Sequence, residues 1–535
     1  MPLDTELAST ETEVGASWRT IFGNPRPQPG DTLVHLDYGI GRFEGIEEIE
    51  VDGATLKTAR LHFANEASLM VPEAEFGKLW TYGAGDDAPL DALDGDVWQD
   101  RLIEARREIA STAKALLARA RERRAAEAPA IDAEPHGFDA VIDGFPHEMT
   151  EDQMRADRFV ARDLAAGFPM DRLVIGDVGY GKTELVIRAA ARVALSGHQV
   201  AVIVPTTILC RQVADALRER LGKVGLEIGE LSRLVPDADR KATREALRDG
   251  SLRIVVGTSV LASRPACFSS LGLVIVDEEH RFGARAKTAL ADAIGPIHRL
   301  MLTATPIPQA LTAAEIGLRD VSVLATAPKG RKPVRTEIAT FSESAVSEAV
   351  ASELDRGGQV FVVAPRIADM DCIAGILAAD IPASRVATVH GKMKEAEIAE
   401  AIHRFRTGEA DVLLGTSIVE SGLDIPTANT MIVCMGGRLG LAQLHQLRGR
   451  VGRSDTQAFM LVLAREQAKK NEKTMERLEA FGEIDGLGAG FRIALLDRNR
   501  RGGGDVLGEA QTGHVSHVGT GLYRHILLSA LREAA

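Results

Sequence analysis

The sequence predicts a multidomain α/β protein in which two parallel-sheet domains follow a small β-barrel and a long helix and precede a short helical segment. Between about Pro146 and Arg465, short runs of Val, Ile and Leu alternate with helical stretches. RLVIGDVG, QVAVIVPTT, LRIVVGTS, LGLVIVDEEH and HRLMLTATP form one cycle; QVFVVAP, RVATVHG, ADVLLGTS and NTMIVCMG restart it after Arg335. Such runs mark strands covered on both faces, and their repetition marks two domains of comparable size. A chain of 535 residues also exceeds what one hydrophobic core supports. The expected organisation is a leader at 1–27, a barrel at 28–85, a helix and connector at 97–145, α/β domains at 146–330 and 331–465, and a helical segment at 466–535.

Each element has its own signal. From about Gly30 to Tyr82, DTLVHLDYGIGRFEGIEEIEVDG and TARLHFANEASLMVP alternate apolar and polar positions, as short strands do. Gly39, Gly41 and Gly45 allow those strands to bend, and Val51-Asp52-Gly53 supplies a hairpin turn. From Val97 to Glu127 neither Gly nor Pro occurs, and Ile103, Ile109, Leu116 and Leu117 recur at helical spacing. APAIDAEPHGFDAVIDGFP then breaks the helix with three prolines. Beyond Glu466 come a Lys- and Glu-rich helical run, the loop RRGGGDVLG and a closing helix LYRHILLSALREAA.

Composition narrows the class further. Hydrophobic residues at 45% and charged residues at 26% are ordinary for a globular protein. A formal charge of −13 argues against a protein that coats nucleic acid by bulk electrostatics, but not against one that grips phosphates in a local groove. No apolar run is long enough to cross a bilayer and the N-terminus is polar and acidic, so a cytoplasmic location and no membrane partner are expected. Cys210, Cys267, Cys372 and Cys434 are far apart and form no CxxC pair, so they read as buried small hydrophobes.

Two segments carry nucleotide chemistry. Gly176-Asp177-Val178-Gly179-Tyr180-Gly181-Lys182-Thr183 fits GxxxxGK[ST], follows the strand Leu173-Val174-Ile175 and opens a helix. Its glycines let backbone N–H groups curl around phosphates, Lys182 reaches the β and γ phosphates of ATP, and the Thr183 hydroxyl is a ligand for Mg2+. About a hundred residues later, Val274-Ile275-Val276-Asp277-Glu278-Glu279-His280 sets an acidic pair at the end of a buried strand. Asp277 is expected to hold the metal and Glu278 to activate water.

With PTTILCRQ, GTSVL, TATP, GTSIVESGLDIP and QLRGRVGR following in order, the chain resembles superfamily 2 helicases and translocases across both α/β domains. The resemblance implies RecA-like motor domains and places Phe145 and Gln153 at the adenine. It adds Gly422 and Asp424 to the nucleotide set and makes Thr303 and Thr305 couplers of hydrolysis to movement. It assigns Arg450 and Arg453, with Arg448 beside them, to an arginine-finger patch. Thr206, Thr258 and Thr416 would face the phosphates of one DNA strand without reading bases.

More specific segments resemble the transcription-repair coupling factor family. DTLVHLDYGIGRFEGI and ARLHFANEASLMVP are similar to its RNA polymerase interaction domain, also found in CarD-type regulators, a Tudor/SH3-like barrel. That implies strand pairing with the polymerase β subunit, here through Arg60, Leu61, His62, Phe63 and Ala64. GRLGLAQLHQLRGRVGRS, MERLEAFGEIDGLGAGF and RRGGGDVLGEAQTGH resemble a translocation motif shared with the RecG-type helicase, and imply roles for Arg477, Arg501 and Gln511. The family's N-terminal UvrA-recruiting module and C-terminal regulatory domain have no counterpart in the sequence, so no UvrA binding and an unrestrained, monomeric translocase on double-stranded DNA are expected. Three other readings remain open: a RecG-like remodeller of branched DNA, a polymerase regulator with a decayed motor, and an RNA motor.

Overall fold

The computed structural model describes residues 27, 29–51, 54–82, 89–93, 96–258, 261, 268–278, 296–304, 319–416, 425, 427–452, 456–465, 472–483 and 517–534. Thr305, Gly422, Asp424, Arg453, Arg501, Gln511 and Cys267 lie outside the described residues. The chain divides into two compact units, one of residues 1–125, 306–320 and 494–535, the other of residues 126–305 and 321–493.

In the first unit, β1 (Thr32–His35), β2 (Gly39–Val51), β3 (Ala54–His62), β4 (Ser68–Pro72) and β5 (Leu79–Thr81) form an antiparallel sheet in the order β4-β3-β2-β1-β5. Val51 pairs with Ala54 at the end of the β2–β3 ladder, while the expected turn residues Asp52 and Gly53 lie outside the described residues. The β2–β3 register shifts between Phe43 and Gly45, and Gly45 has φ +153, so β2 bends there through a bulge. Gly39 has φ +90, and a Cβ on it would lie 2.4 Å from Asp91 Oδ2, the atom that accepts the Ile40 N–H at 2.8 Å. Only glycine fits that approach.

Both faces of the sheet are covered, which is why all four residues of β1 are buried. Leu33, Phe43, Ala59, Leu61, Phe63 and Val71 fill one face. Val34, Ile40 and Tyr82 on the other join Trp98, Leu102, Ala105, Ile109, Ala113 and Leu116 of α1 (Val97–Ala125). Val518, Leu522, Tyr523, Ile526, Leu527 and Leu531 of the C-terminal segment complete the same core. The Trp98 indole N–H donates to the Leu36 carbonyl at 2.9 Å, and Trp80 stacks on His525 with centroids 4.4 Å apart. Of the four apolar residues expected to mark this helix, Ile109 and Leu116 are buried and Leu117 packs against the core, whereas Ile103 is 66% exposed, because the buried stripe continues through Trp98, Leu102 and Ala105.

The second unit holds two sheets whose described pairings are parallel. β6 (Asp171–Gly176), β7 (Gln199–Ile203), β8 (Ile228–Leu231), β9 (Ile254–Gly257), β10 (Leu271–Val276), β11 (His298–Thr303) and β12 (Asp320–Leu324) lie in the order β12-β6-β11-β10-β7-β9-β8. β13 (Arg335–Thr340), β14 (Gln359–Val363), β15 (Val386–Val389), β16 (Val412–Gly415), β17 (Ala428–Cys434) and β18 (Phe459–Ala464) lie in the order β13-β18-β17-β14-β16-β15. Chain order departs from spatial order at β6, whose neighbour toward β7 is β11, so the ends of β6, β11 and β10 open on one crevice. Cys210 and Cys434 are buried as expected, whereas Cys372 is exposed.

Candidate nucleotide site

The loop after β6 is built for close approach. Gly179 and Gly181 adopt φ +78 and +74, and Lys182 opens α3 (Lys182–Leu195). The Lys182 ammonium donates to the Gly176 and Asp177 carbonyls at 2.6 and 3.1 Å, which centres it in the loop. Burial lowers its pKa against the opposing charges of Glu278, Asp277 and Asp177. Asp277 and Glu278 follow β10, and the Glu278 N–H donates to Asp277 Oδ1 at 2.9 Å. Burial, and then the neighbouring Glu278, push Asp277 up to about 6. Glu278 itself holds φ +52, a left-handed conformation uncommon for a side chain of its size and typical of functional turns.

Gln153 is buried against the loop. It starts α2 (Glu151–Leu164) inside a capping box with Thr150, accepting the Thr150 N–H at 2.8 Å and donating its amide to the Tyr180 carbonyl at 2.8 Å. A Cβ on Gly181 would come within 2.2 Å of the same amide nitrogen. Both ends of the Gln153 side chain are thus engaged by backbone of the protein, which makes it a brace of the loop. The Phe145 ring meets His147 edge-on at 5.6 Å and lies under the Arg220 guanidinium at 5.3 Å.

Arg220 belongs to a network that sequence reasoning missed. Glu184, in the first turn of α3, accepts from Arg188 at 2.8 Å and from Arg220 of α4 (Thr207–Leu221) at 2.8 Å. Arg192 makes a two-pronged pair with Asp157 of α2 at 2.6 and 2.9 Å. These buried pairs fix the loop's helix to its neighbours, and their only sequence signal is charge at interior helical positions.

The second sheet contributes to the same site. α5 (Leu441–Arg448) ends at Gly449, whose Cβ position lies 2.6 Å from the Val178 Cβ of the loop. Arg450 is buried, and its charge is felt by both Lys182 and Asp277. His445 Nε2 lies 2.8 Å from Asp177 Oδ1. Burial works against ionisation of Asp177, but His445, the Val178 N–H and Arg331 outweigh it and hold the carboxyl below the usual range. Arg331, between the two sheets, donates to the Val178 carbonyl and covers the Tyr180 ring at 5.4 Å. His445 and Arg331 escaped the sequence reading: Arg331 lies outside the recognised motifs, and His445, although within GRLGLAQLHQLRGRVGRS, receives no role from it.

The remaining expected residues are spread along the strand ends. Thr303 closes β11 and is 2% exposed. Thr206 caps α4, its hydroxyl accepting the Leu209 N–H at 3.3 Å, and Thr258 and Thr416 follow β9 and β16. Thr258 and Thr416 are largely buried. Arg477, in α6 (Glu472–Glu483), donates to the Gly437 carbonyl at 2.7 Å. In the barrel, the expected pairing segment needs correction: β3 is hydrogen-bonded to β2 on one side and β4 on the other, so it offers no edge. Leu61 and Phe63 are fully buried core residues, and Arg60 pairs with Glu47 at 3.0 Å.

The comparisons agree with this architecture. Residues 159–313 match the DEAD/DEAH box helicase family, 343–455 the helicase conserved C-terminal domain, and 28–83 the CarD-like/TRCF RID domain. A phosphate loop and an acidic strand end on one sheet, faced by a second sheet, define an ATP-dependent helicase or translocase of superfamily 2. The transcription-repair-coupling factor of Bacillus subtilis is 38% identical over 508 residues, 95% of this chain and 43% of that protein. Its Escherichia coli counterpart is 39% identical over 504 residues, 94% and 44% respectively. The chain is similar to the transcription-repair-coupling factors over nearly all of its own length, and spans about half the length of the curated relatives it matches. The structure of RecG bound to a three-way DNA junction is also similar, with a TM-score of 0.62 and 27% identity over 84% of this chain and 67% of that one.

Proposed function

We propose that the chain is an ATP-driven translocase on double-stranded DNA whose barrel holds RNA polymerase, so that movement displaces or rescues a stalled transcription complex. The observation that carries this reading is a polymerase-interaction barrel and a two-sheet motor on one chain, both matched by the coupling factors. In the proposed cycle, Lys182 and the loop N–H groups bind the β and γ phosphates of ATP, Glu278 takes a proton from the attacking water, and Arg450 stabilises charge developing on the γ-phosphate. Arg453 is proposed to join Arg450. Thr183 and Asp277 would hold Mg2+, which supplies Lewis-acid neutralisation of the phosphate oxygens. The donors fit: a hydroxyl and a carboxylate are both oxygen ligands, which Mg2+ prefers.

Strand addition to the polymerase needs an open edge. β5 has three residues, with the C-terminal helix α7 (Thr520–Ala534) packed beside it. The proposed pairing edge is therefore β4, where Met70 is half-buried opposite Arg60 on the outer face. The test is ATP-dependent release of a stalled polymerase from linear DNA. Release should be lost in Lys182→Ala. It should also weaken in Met70→Lys, since an edge lysine discourages strand addition, while ATP hydrolysis persists. Full release by Met70→Lys would remove β4 from the interface, and ATP hydrolysis without any release by the intact protein would refute the reading. A second reading, remodelling of branched DNA, is favoured by the likeness to RecG, and unwinding of a three-way junction is its assay.

A further inference from the structure

The phosphate loop is held from the second sheet through Asp177, the second residue of its motif. Asp177 Oδ1 accepts the Val178 N–H at 2.7 Å and faces His445 Nε2 at 2.8 Å. On the far side of the imidazole, Arg448 Nη2 lies 3.2 Å from His445 Nδ1. A guanidinium only donates, so Nδ1 accepts, and the proton of the neutral ring sits on Nε2, facing a carboxylate that only accepts. Arg448 thus selects the tautomer that Asp177 needs, and its own guanidinium is seated on the Phe481 ring at 4.6 Å. His445 and Arg448 are 2% and 5% exposed, so solvent does not compete for these bonds. Four residues after His445, Gly449 meets Val178, and Arg450 follows directly.

We propose that His445 is a positioning residue of the nucleotide site: through Asp177 it locks the phosphate loop against α5 and so places the Arg450 guanidinium for the transition state. The proposal rests on the ATP-hydrolysis reading above. It makes a distinctive prediction, because a finger acts on charge that develops during reaction, whereas the loop binds the ground state. Loss of the His445 bond should lower kcat and leave KM for ATP nearly unchanged.

The experiment is steady-state ATP hydrolysis by the full chain carrying His445→Ala, His445→Gln, Asp177→Ala or the Asp177→Ala/His445→Ala pair, with Lys182→Ala alongside. His445→Ala should lower kcat about tenfold or more, the loss expected for a hydrogen bond to a charged group. His445→Gln, whose amide nitrogen reaches as far as Nε2, should recover most of that loss. The double variant should be no worse than the poorer single variant, since both remove one interaction. A His445→Ala enzyme with unchanged kcat, or one altered only in KM, would overturn the proposal. So would a Gln variant as impaired as the Ala variant, which would make the ring's packing rather than its donor the cause. Hydrolysis that survives Lys182→Ala would instead place the reaction elsewhere and remove the reading on which the proposal stands.

Discussion

Replacing Gly449 by alanine tests how closely the two motor sheets approach at the nucleotide. The backbone there is helical, with φ −68 and ψ −11, so alanine adds no conformational strain and slightly favours the helix. Its methyl would stand 2.6 Å from Val178 Cβ and 2.8 and 3.2 Å from Cγ2 and Cγ1. Carbon atoms pack at about 3.5–4.0 Å, so about 1 Å of separation must open, and neither Cβ can swing aside because each is fixed to backbone. Arg450 is the next residue and would retreat by a similar distance. A misplacement of about 1 Å costs on the order of a hundredfold in rate. The assay is kcat for ATP hydrolysis beside the affinity for a fluorescent nucleotide, which should hold because the loop's phosphate-binding groups are untouched. Val178→Gly in the same chain removes all three contacted atoms and should restore part of the rate. A Gly449→Ala protein with wild-type kcat would show that the sheets do not close this way during turnover.

Three further outcomes follow from the same geometry. Arg192→Met strands the buried Asp157 carboxylate with Arg188 at 3.5 Å and should destabilise the motor by about 3–5 kcal/mol in urea unfolding, with part recovered by adding Asp157→Asn. Burial and Glu278 raise Asp277 above its unfolded value to about 6, so the folded protein retains a proton that the unfolded chain releases. That contribution is complete below about pH 4 and is lost as pH rises through the folded value. With a metal chelator present, Asp277→Asn should therefore melt above wild type at pH 7.5, and the gain should fade on acidification. Leu527→Ala hollows the core shared by the barrel and its helices and should cost about 2–5 kcal/mol, seen as faster hydrogen exchange in β1 and α1 together. Exchange confined to α7 would show that the three elements do not share one core.

Most of the fold was legible because its signals are local. Val- and Ile-rich runs buried on both faces announce parallel strands, and GDVGYGKT between a strand and a helix announces the phosphate loop. What escaped depends on residues brought together from afar. Nothing near Arg60 says that β3 has partners on both sides; that follows only from β4 returning beside it. Gln153 could be placed near the nucleotide from its motif, but its bond to the Tyr180 carbonyl depends on how α2 packs against the loop. His445 meets Asp177 across 268 residues of sequence, and only the closed pair of sheets reveals it. Ile103 misled for a different reason: apolar spacing marks a helix reliably, but which stripe is buried is decided by the barrel and α7 packed against α1.

The central claim is that hydrolysis between these two sheets drives movement along unbranched duplex DNA. Its most direct test is displacement of a third strand, bound as a triplex on a linear duplex, by the full chain with ATP. The account predicts displacement that requires ATP and disappears in Lys182→Ala. Failure to displace the strand while the same preparation unwinds a three-way junction would contradict it, and would make branched DNA the substrate.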